Sequence, residues 1–261
     1  MNTLNFDEFG FQVFRKVIPK EVVLEIVTFL SEKIEASVSA AKDEIDCSSD
    51  SNFIETIANI SNGRKGSVES LTKTTRDTLT GHFPLEVRLS ENLWKIPYSE
   101  SFYSIIKTIL RSQNVFMHMP PTARFVLPGN VYAGVPPHQD ISYNRHMTDF
   151  ITIWVPLVDI DEECGGVTVY EGSGYDQEHP VQSFSSEFWQ RGVSVGAYKP
   201  THCKMSAGDI LVLNKRIIHG SRSNQSDRTR ISIDFRFFGE GARSDKHYLD
   251  MQKRKVLKNN N

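Results

Sequence analysis

The spacing of apolar residues along this chain shifts from alternate positions to every third or fourth and back again, and each regime predicts its own kind of element. Phe6, Phe9, Phe11, Val13 and Val17 alternate well enough for an opening strand within Asn5 to Val17. Val22, Val23, Ile26, Val27, Leu30, Ile34 and Val38 then recur at helical intervals. With Pro19 in its first turn, the stretch from Pro19 to about Ala40 reads as an amphipathic helix, its apolar stripe lying on the outer face of a sheet. Phe102, Ile105, Ile106, Ile109 and Leu110 repeat that register, so Ser99 to Arg111 is a second helix. Between the two, residues 42–98 hold short apolar pieces broken by polar clusters such as Ser61-Asn62-Gly63-Arg64-Lys65-Gly66, and no element is assigned there.

Past Ser112 the texture becomes one of short strands: Val115 to Met119, Ala123 to Leu127, Val131 to Val135, Phe150 to Leu157, Val167 to Tyr170, Asp209 to Leu213 and Thr229 to Phe238. Turn signals such as Pro128-Gly129-Asn130, Pro136-Pro137, Gly165-Gly166 and Ala207-Gly208-Asp209 separate them. Many strands without intervening helices predict a mainly β fold with flanking helices: a double-stranded β-helix, or cupin-like jelly roll, with N-terminal helices packed on its outer sheet. No repeat or linker divides the chain. Residues 1–261 therefore read as one domain, helical to about 112, jelly roll from about 113 to 240, with a loose polar tail over 241–261.

Composition removes several function classes. Thirty basic against thirty-two acidic side chains leave a net charge of -2 over 261 residues, enough chain for a large core. That balance, with no basic block, speaks against nucleic acid or a membrane surface as partner. Met1 to Gly10 lacks the pattern of a signal peptide, and no apolar run reaches the length of a membrane span. Cys47, Cys164 and Cys203 are odd in number and lack CxxC spacing, as expected of free thiols in a reducing, cytoplasmic setting. His202 and Cys203 adjoin, but neighbours on an extended strand face opposite ways, against a nucleophile and its base.

The candidate chemistry lies in Pro137-His138-Gln139-Asp140, an imidazole and a carboxylate two residues apart and hence on one face of a strand. A second histidine, His219, follows an apolar run and precedes the polar turn Gly220-Ser221-Arg222-Ser223-Asn224. Two histidines and one carboxylate form a facial triad that suits non-haem ferrous iron, with positions left for an organic cosubstrate and dioxygen. Eleven residues further on, Arg230, Ser232, Asp234 and Arg236 share one face of a strand, while Ile231, Ile233 and Phe235 share the other. A partly buried guanidinium needs an anionic partner. A dicarboxylate cosubstrate would supply it, pairing with Arg230 and accepting from the Ser232 hydroxyl. An internal ion pair of Arg230 with Asp234 is the structural alternative.

These residues together resemble the phytanoyl-CoA dioxygenase family of iron(II)- and 2-oxoglutarate-dependent oxygenases, with its HxD pair, distal histidine in an HGS-like context and arginine about a dozen residues later. The resemblance extends over most of the chain. Phe6 to Val17 is similar to the family's first strand, Thr152 to Leu157 to its core strand, and Cys164 to Val169 to the glycine-led strand after it. It implies that His138, Asp140 and His219 ligate Fe(II) and that Arg230 anchors 2-oxoglutarate. Ser232 matches an Arg-x-Ser pairing of related oxygenases, and Trp154 an aromatic that flanks the cosubstrate. The implied activity uses O2 to hydroxylate, or otherwise oxidise, a C–H bond of a small or medium polar metabolite, releasing succinate and CO2. Glu171-Gly172-Ser173-Gly174 departs from the family's Pro-Gly-Ser-His, which bears on substrate choice. Retention of Asp140 speaks against halogenation.

Other residues keep two readings. Gln139 should point away from the metal by strand alternation. Tyr143, Arg145 and His146 either reach substrate or form a polar loop. Arg64, Lys65, Lys73, Arg76 and Arg88 either meet an anionic substrate or make a solvated face. Residues 172–201, with Phe184, Phe188 and Trp189, form either a lid or packed scaffold. His118, His146, His179 and His202 have no partner at ligand spacing and read as ordinary histidines. Against the oxygenase stand a non-redox metal-dependent jelly-roll enzyme and a non-catalytic ligand-binding barrel.

Overall fold

In the computed structural model, residues 4–47, 53, 55–56, 70–179 and 192–258 are described. Helix α1 (Leu4–Phe9) leads into β1 (Phe11–Phe14) and the long helix α2 (Lys20–Glu44). Short helices α3 (Lys73–Thr80), α4 (Leu85–Arg88) and α5 (Glu91–Trp94) precede α6 (Glu100–Leu110). The strands that follow are β2 (Val115–His118), β3 (Thr122–Val126), β4 (Ile151–Pro156), β5 (Gly166–Glu171), β6 (Lys199–His202), β7 (Ile210–Asn214), β8 (His219–Arg222), β9 (Arg230–Gly239), β10 (Tyr248–Asp250) and β11 (Lys255–Leu257). Helix α7 (Asp140–Tyr143) lies between β3 and β4.

The strands form two antiparallel sheets that do not close into a barrel. The large one runs β1-β7-β4-β9-β2-β10-β11, with β3 also paired to β9; the small one runs β6-β5-β8. Alternation along the central strands decides what each face of the large sheet meets. Ile153 and Val155 of β4, Ile210 and Val212 of β7, and Ile231, Ile233, Phe235 and Phe237 of β9 bury against Val23, Ile26, Leu30 and Ile34 of α2 and Phe102, Ile105 and Ile106 of α6. The opposite face carries Trp154, Leu211 and Leu213 against Val167 and Val169 of the small sheet and Cys203 just past its strand β6. The helices thus pack on the outer sheet, and the polar face of β9 is turned inward between the sheets.

Several elements differ from the expected ones. The opening strand begins only at Phe11, because Leu4–Phe9 is helical and Gly10, at φ +76°, turns the chain between the two. Phe6 and Phe9 are three apart, a spacing that fits a helix as well as an alternation. Val131–Ala133 is a 3-10 turn rather than a strand, its Tyr132 N–H accepted by the Asn130 side chain at 3.0 Å. The stretch 241–261, expected to be a loose polar tail, instead adds β10 and β11, paired from Tyr248↔Leu257 to Asp250↔Lys255. Among the described residues no helix is long and apolar enough to cross a membrane.

Candidate active site

The site is assembled where the two sheets approach each other. The His138 N–H donates to the His219 carbonyl at 2.9 Å, and the His219 N–H donates back to the His138 carbonyl at 3.0 Å. Residues that exchange both bonds of an antiparallel bridge present their side chains to the same side, and the two imidazole centroids lie 4.4 Å apart. His219 therefore opens strand β8 rather than merely preceding a turn. Gly220 permits the approach: a Cβ there would stand 3.0 Å from the Pro137 nitrogen and 3.1 Å from its Cα.

Gln139 is extended (φ -101°, ψ 135°), so His138 and Asp140 emerge on one side, but Asp140 starts helix α7 instead of continuing a strand. The Gln139 side chain points away, accepting from the His179 N–H at 2.8 Å and donating to the Gln177 carbonyl at 3.3 Å. One ligand atom each from His138, Asp140 and His219 lies within 4.8 Å of the other two.

Both imidazoles are fixed in the tautomer a metal needs. His138 Nδ1 donates to the Pro136 carbonyl at 2.8 Å and His219 Nδ1 to the Ile217 carbonyl at 3.1 Å; carbonyls only accept, so each ring carries its proton on Nδ1 and turns Nε2 to the site. Burial pushes His138 down to about 3, with His219 adding to the effect and Asp140 opposing it, so the ring is neutral at ordinary pH. Burial works against ionisation of Asp140, but Arg236 above all, then His219, His138 and the Thr152 hydroxyl, hold its carboxyl well below the usual range. Arg236 Nη2 donates to Oδ1 at 3.2 Å, the Thr152 hydroxyl donates to Oδ2, and Asn144 Nδ2 donates to the Asp140 backbone carbonyl at 2.9 Å. Two imidazole nitrogens and one carboxylate oxygen make a donor set suited to a divalent first-row metal, Fe(II) included.

The triad lines a cavity of about 250 Å³ whose floor is the inward face of β9, formed by Arg230, Ser232, Asp234 and Arg236. Register sets its walls: Trp154 of β4 and Thr122 of β3 flank Asp234, and Arg124 of β3 and Pro156 of β4 flank Ser232. Arg230 Nη1 donates to the Cys164 carbonyl at 3.2 Å and the Arg222 carbonyl at 2.9 Å, and the rest of its fork has no protein partner among the described residues. Burial lowers the Arg230 guanidinium to about 10, with Cys164 and Asp234 opposing. No ion pair joins Arg230 to Asp234, so the internal-pair alternative is absent. Burial raises Asp234 to about 6, with Arg236 opposing and Asp140 adding. The Gly165-Gly166 turn allows β5 to come so close: at φ +81° and +88°, added Cβ atoms would lie 2.9 Å from Arg230 Nη1 and 2.4 Å from Ile160 Cγ2.

Other singled-out residues lie elsewhere or take structural roles. Tyr143 stands edge-on to His138 at 5.0 Å and lines the cavity. Arg145 instead pairs with Glu178 at 2.6 Å, and His146 lies tilted against His118, ring centroids 4.7 Å apart. Lys73 pairs with Asp77, and neither Arg76 nor Arg88 lines the cavity. Burial pushes the Cys203 thiol up to about 12, which removes it as a nucleophile. Arg64, Lys65, Phe184, Phe188 and Trp189 lie outside the described residues. Sequence reasoning missed Arg236, Arg124 and His82, which line the cavity, and Thr152, which bonds Asp140 from behind, as site components. For Arg236 the shared face with Arg230 was the available signal; for the others only register and chain path reveal the placement.

Comparisons with known proteins agree with this geometry. The phytanoyl-CoA dioxygenase (PhyH) family model matches residues 6–232. The peroxisomal phytanoyl-CoA dioxygenase of Bos taurus is 24% identical over 155 residues, 55% of this chain and 42% of that relative, so the match spans less than half of the relative's length. Among solved structures, EvdO2 from Micromonospora carbonacea var. aurantiaca superposes with a TM-score of 0.62 at 16% identity, covering 95% of this chain and 91% of that one. The epimerase SnoN, solved in complex with Fe3+, alpha ketoglutarate and nogalamycin RO, gives 0.61 at 14% identity, covering 93% and 84%. At these identities the structures show a shared jelly-roll fold. The extent of the family match, from Phe6 to Ser232, makes this chain a member of the phytanoyl-CoA dioxygenase family.

Proposed function

We propose that this protein is an Fe(II)- and 2-oxoglutarate-dependent dioxygenase that hydroxylates a C–H bond of a small or medium polar metabolite. The observation that carries the reading is a buried guanidinium, Arg230, with most of its fork unpartnered, on the floor of the cavity that holds the His138, Asp140 and His219 cluster. A keto diacid needs both a metal and a cation for its far carboxylate, and this cavity offers the two together.

His138, Asp140 and His219 would hold the iron. Bound there with 2-oxoglutarate and dioxygen, it supplies an oxidant for unactivated C–H bonds, so that R–H, 2-oxoglutarate and O2 give R–OH, succinate and CO2. The chain's own residues do the rest. Arg230 and the Ser232 hydroxyl orient the far carboxylate, Trp154 walls the cosubstrate, and Val167 and Leu213 keep water from the cavity. Cosubstrate and substrate would share the cavity. His82, Tyr143 and Asn144 line it and favour a polar reacting portion.

The test is oxygen uptake coupled to succinate release with Fe(II), 2-oxoglutarate and a library of polar metabolites. The proposal expects both to rise together for a subset of compounds, with oxygen incorporated into the product. Turnover with Zn(II) and no cosubstrate would point to the hydrolase, and binding without oxygen uptake to a non-catalytic barrel. Because SnoN is an epimerase, mass and stereochemistry of the product separate hydroxylation from inversion.

A further inference from the structure

We infer that Arg236, with Thr152 opposite it, is a positioning residue that keeps Asp140 a one-oxygen ligand. The inference rests on the iron and 2-oxoglutarate reading above. Thr152 and Arg236 are direct cross-strand partners in the β4/β9 register; Arg236 lines the cavity and the Thr152 hydroxyl reaches Asp140. Asp140 sits over this pair. Its Oδ1 lies 3.8 Å from His138 Nε2 and is thereby the oxygen turned to the metal position, while it also accepts from Arg236 Nη2 at 3.2 Å. Its Oδ2 is turned the other way and accepts from the Thr152 hydroxyl.

A carboxylate held at both oxygens from two strands cannot rotate to present both to one ion. Arg236 is itself fixed, because its Nη1 donates to Thr122 Oγ1 on β3 at 3.2 Å. Three strands thus fix one side-chain rotamer. The consequence is chemical: three of six positions go to protein, and three stay open for a two-toothed keto acid and dioxygen. If Asp140 could turn to bind through both oxygens, it would take one of those positions and compete with the cosubstrate. Lysine cannot reproduce this role. An ammonium keeps the charge but lacks the planar fork that reaches Thr122 and Asp140 together.

The test uses Arg236→Lys and Thr152→Val in the full chain, titrated with Co(II) and followed by visible absorption, with and without 2-oxoglutarate. Thr152→Val is nearly isosteric and carries the test if the lysine variant does not fold. The expected result is roughly tenfold weaker metal binding in each variant. With it should come a changed cobalt spectrum and a loss of 2-oxoglutarate affinity seen only when metal is present. Unchanged affinity and spectrum in the folded variants would overturn the inference. Weaker metal binding with an unaltered spectrum would also overturn it, since Asp140 would then be presenting the same oxygen without help from Arg236 and Thr152. Asp140→Ala is the control: if it binds cobalt as the unmodified chain does, the triad itself is wrong and the failure lies with the proposed function.

Discussion

His138 and His219 hold each other through their backbones, by reciprocal hydrogen bonds of 2.9 and 3.0 Å, before any metal brings their rings together. Two proposed ligands distant in sequence are thus one structural unit, and their spacing depends on the strand path on either side of them. Gly220→Val tests this without touching a ligand. Its Cβ would meet the Pro137 backbone at about the closest approach real side chains show, so residues 136–138 must move away. Metal affinity is expected to fall roughly tenfold, as for residues that orient ligands, with secondary structure by circular dichroism unchanged. Wild-type affinity in Gly220→Val would show that the bridge does not set the ligand spacing.

Removing a ligand should have two separable effects. His138→Ala, Asp140→Ala and His219→Ala are each expected to abolish metal binding and succinate release. Asp140→Ala alone also strips a buried guanidinium of its partner, since the Asp140 and Arg236 side chains are 2% and 14% exposed. Breaking such a pair costs about 3–5 kcal/mol. Denaturant unfolding of the metal-free proteins should therefore place Asp140→Ala well below His138→Ala. Equal stabilities would mean that the ion pair contributes little.

Cosubstrate binding should depend on Arg230 in a graded way. A charge-assisted hydrogen bond contributes about 1.5–3 kcal/mol, so Arg230→Ala should raise the 2-oxoglutarate concentration needed for half-maximal binding by roughly 10- to 100-fold. Arg230→Lys should fall between, and Ser232→Ala should cost less than either. Calorimetric titration measures all three. An unchanged requirement in Arg230→Ala would place the far carboxylate elsewhere.

The metal-free protein should be acid-labile in a window that histidines define. Burial, helped by its neighbour His146 and by Arg236, pushes His118 down to about 3, and burial with Lys246 and Arg236 lowers His146 to about 4. The unfolded chain, with histidines near 6.5, binds more protons than the native one between those values, so stability falls as pH drops from 6.5 towards 4. Asp234 acts oppositely. Raised to about 6 from 3.8, mainly by burial, it favours the native state at low pH and loses that contribution as pH rises through 6, offsetting part of the slope. Unfolding midpoints from pH 4 to 7 should show the net decline, and His118→Phe should flatten it. Parallel profiles for the two proteins would assign the lability to other groups.

The thiols should differ sharply in reactivity. Cys164 and Cys203 are buried, and burial raises both above the ordinary thiol range. Only the thiolate reacts, so a thiol reagent near pH 8 is expected to leave both unmodified in the native protein and to reach them after denaturation. Rapid native labelling of Cys203, followed by peptide mass, would contradict the burial described above.

The elements legible beforehand are those whose signal is local. Helix α2 and helix α6 follow from apolar residues at helical spacing, and the two faces of β9 from simple alternation of Arg230, Ser232, Asp234 and Arg236 with Ile231, Ile233 and Phe235. Elements held by pairing were not legible. β10 and β11 are three residues each and exist because neighbouring strands satisfy their backbone groups.

For the site, residue type and order singled out His138, Asp140, His219, Arg230 and Ser232, because ligand chemistry restricts which residue types can serve, and the family resemblance added Trp154. Only the tertiary structure decided what surrounds them. Thr152 is an ordinary strand threonine until register sets it opposite Arg236, and Arg236 is an ordinary strand arginine until the chain path lays Asp140 over it. Residue type is a property of one position and can be read there. A cradle for a carboxylate is a relation among three strands, and no local pattern encodes the crossings that create it.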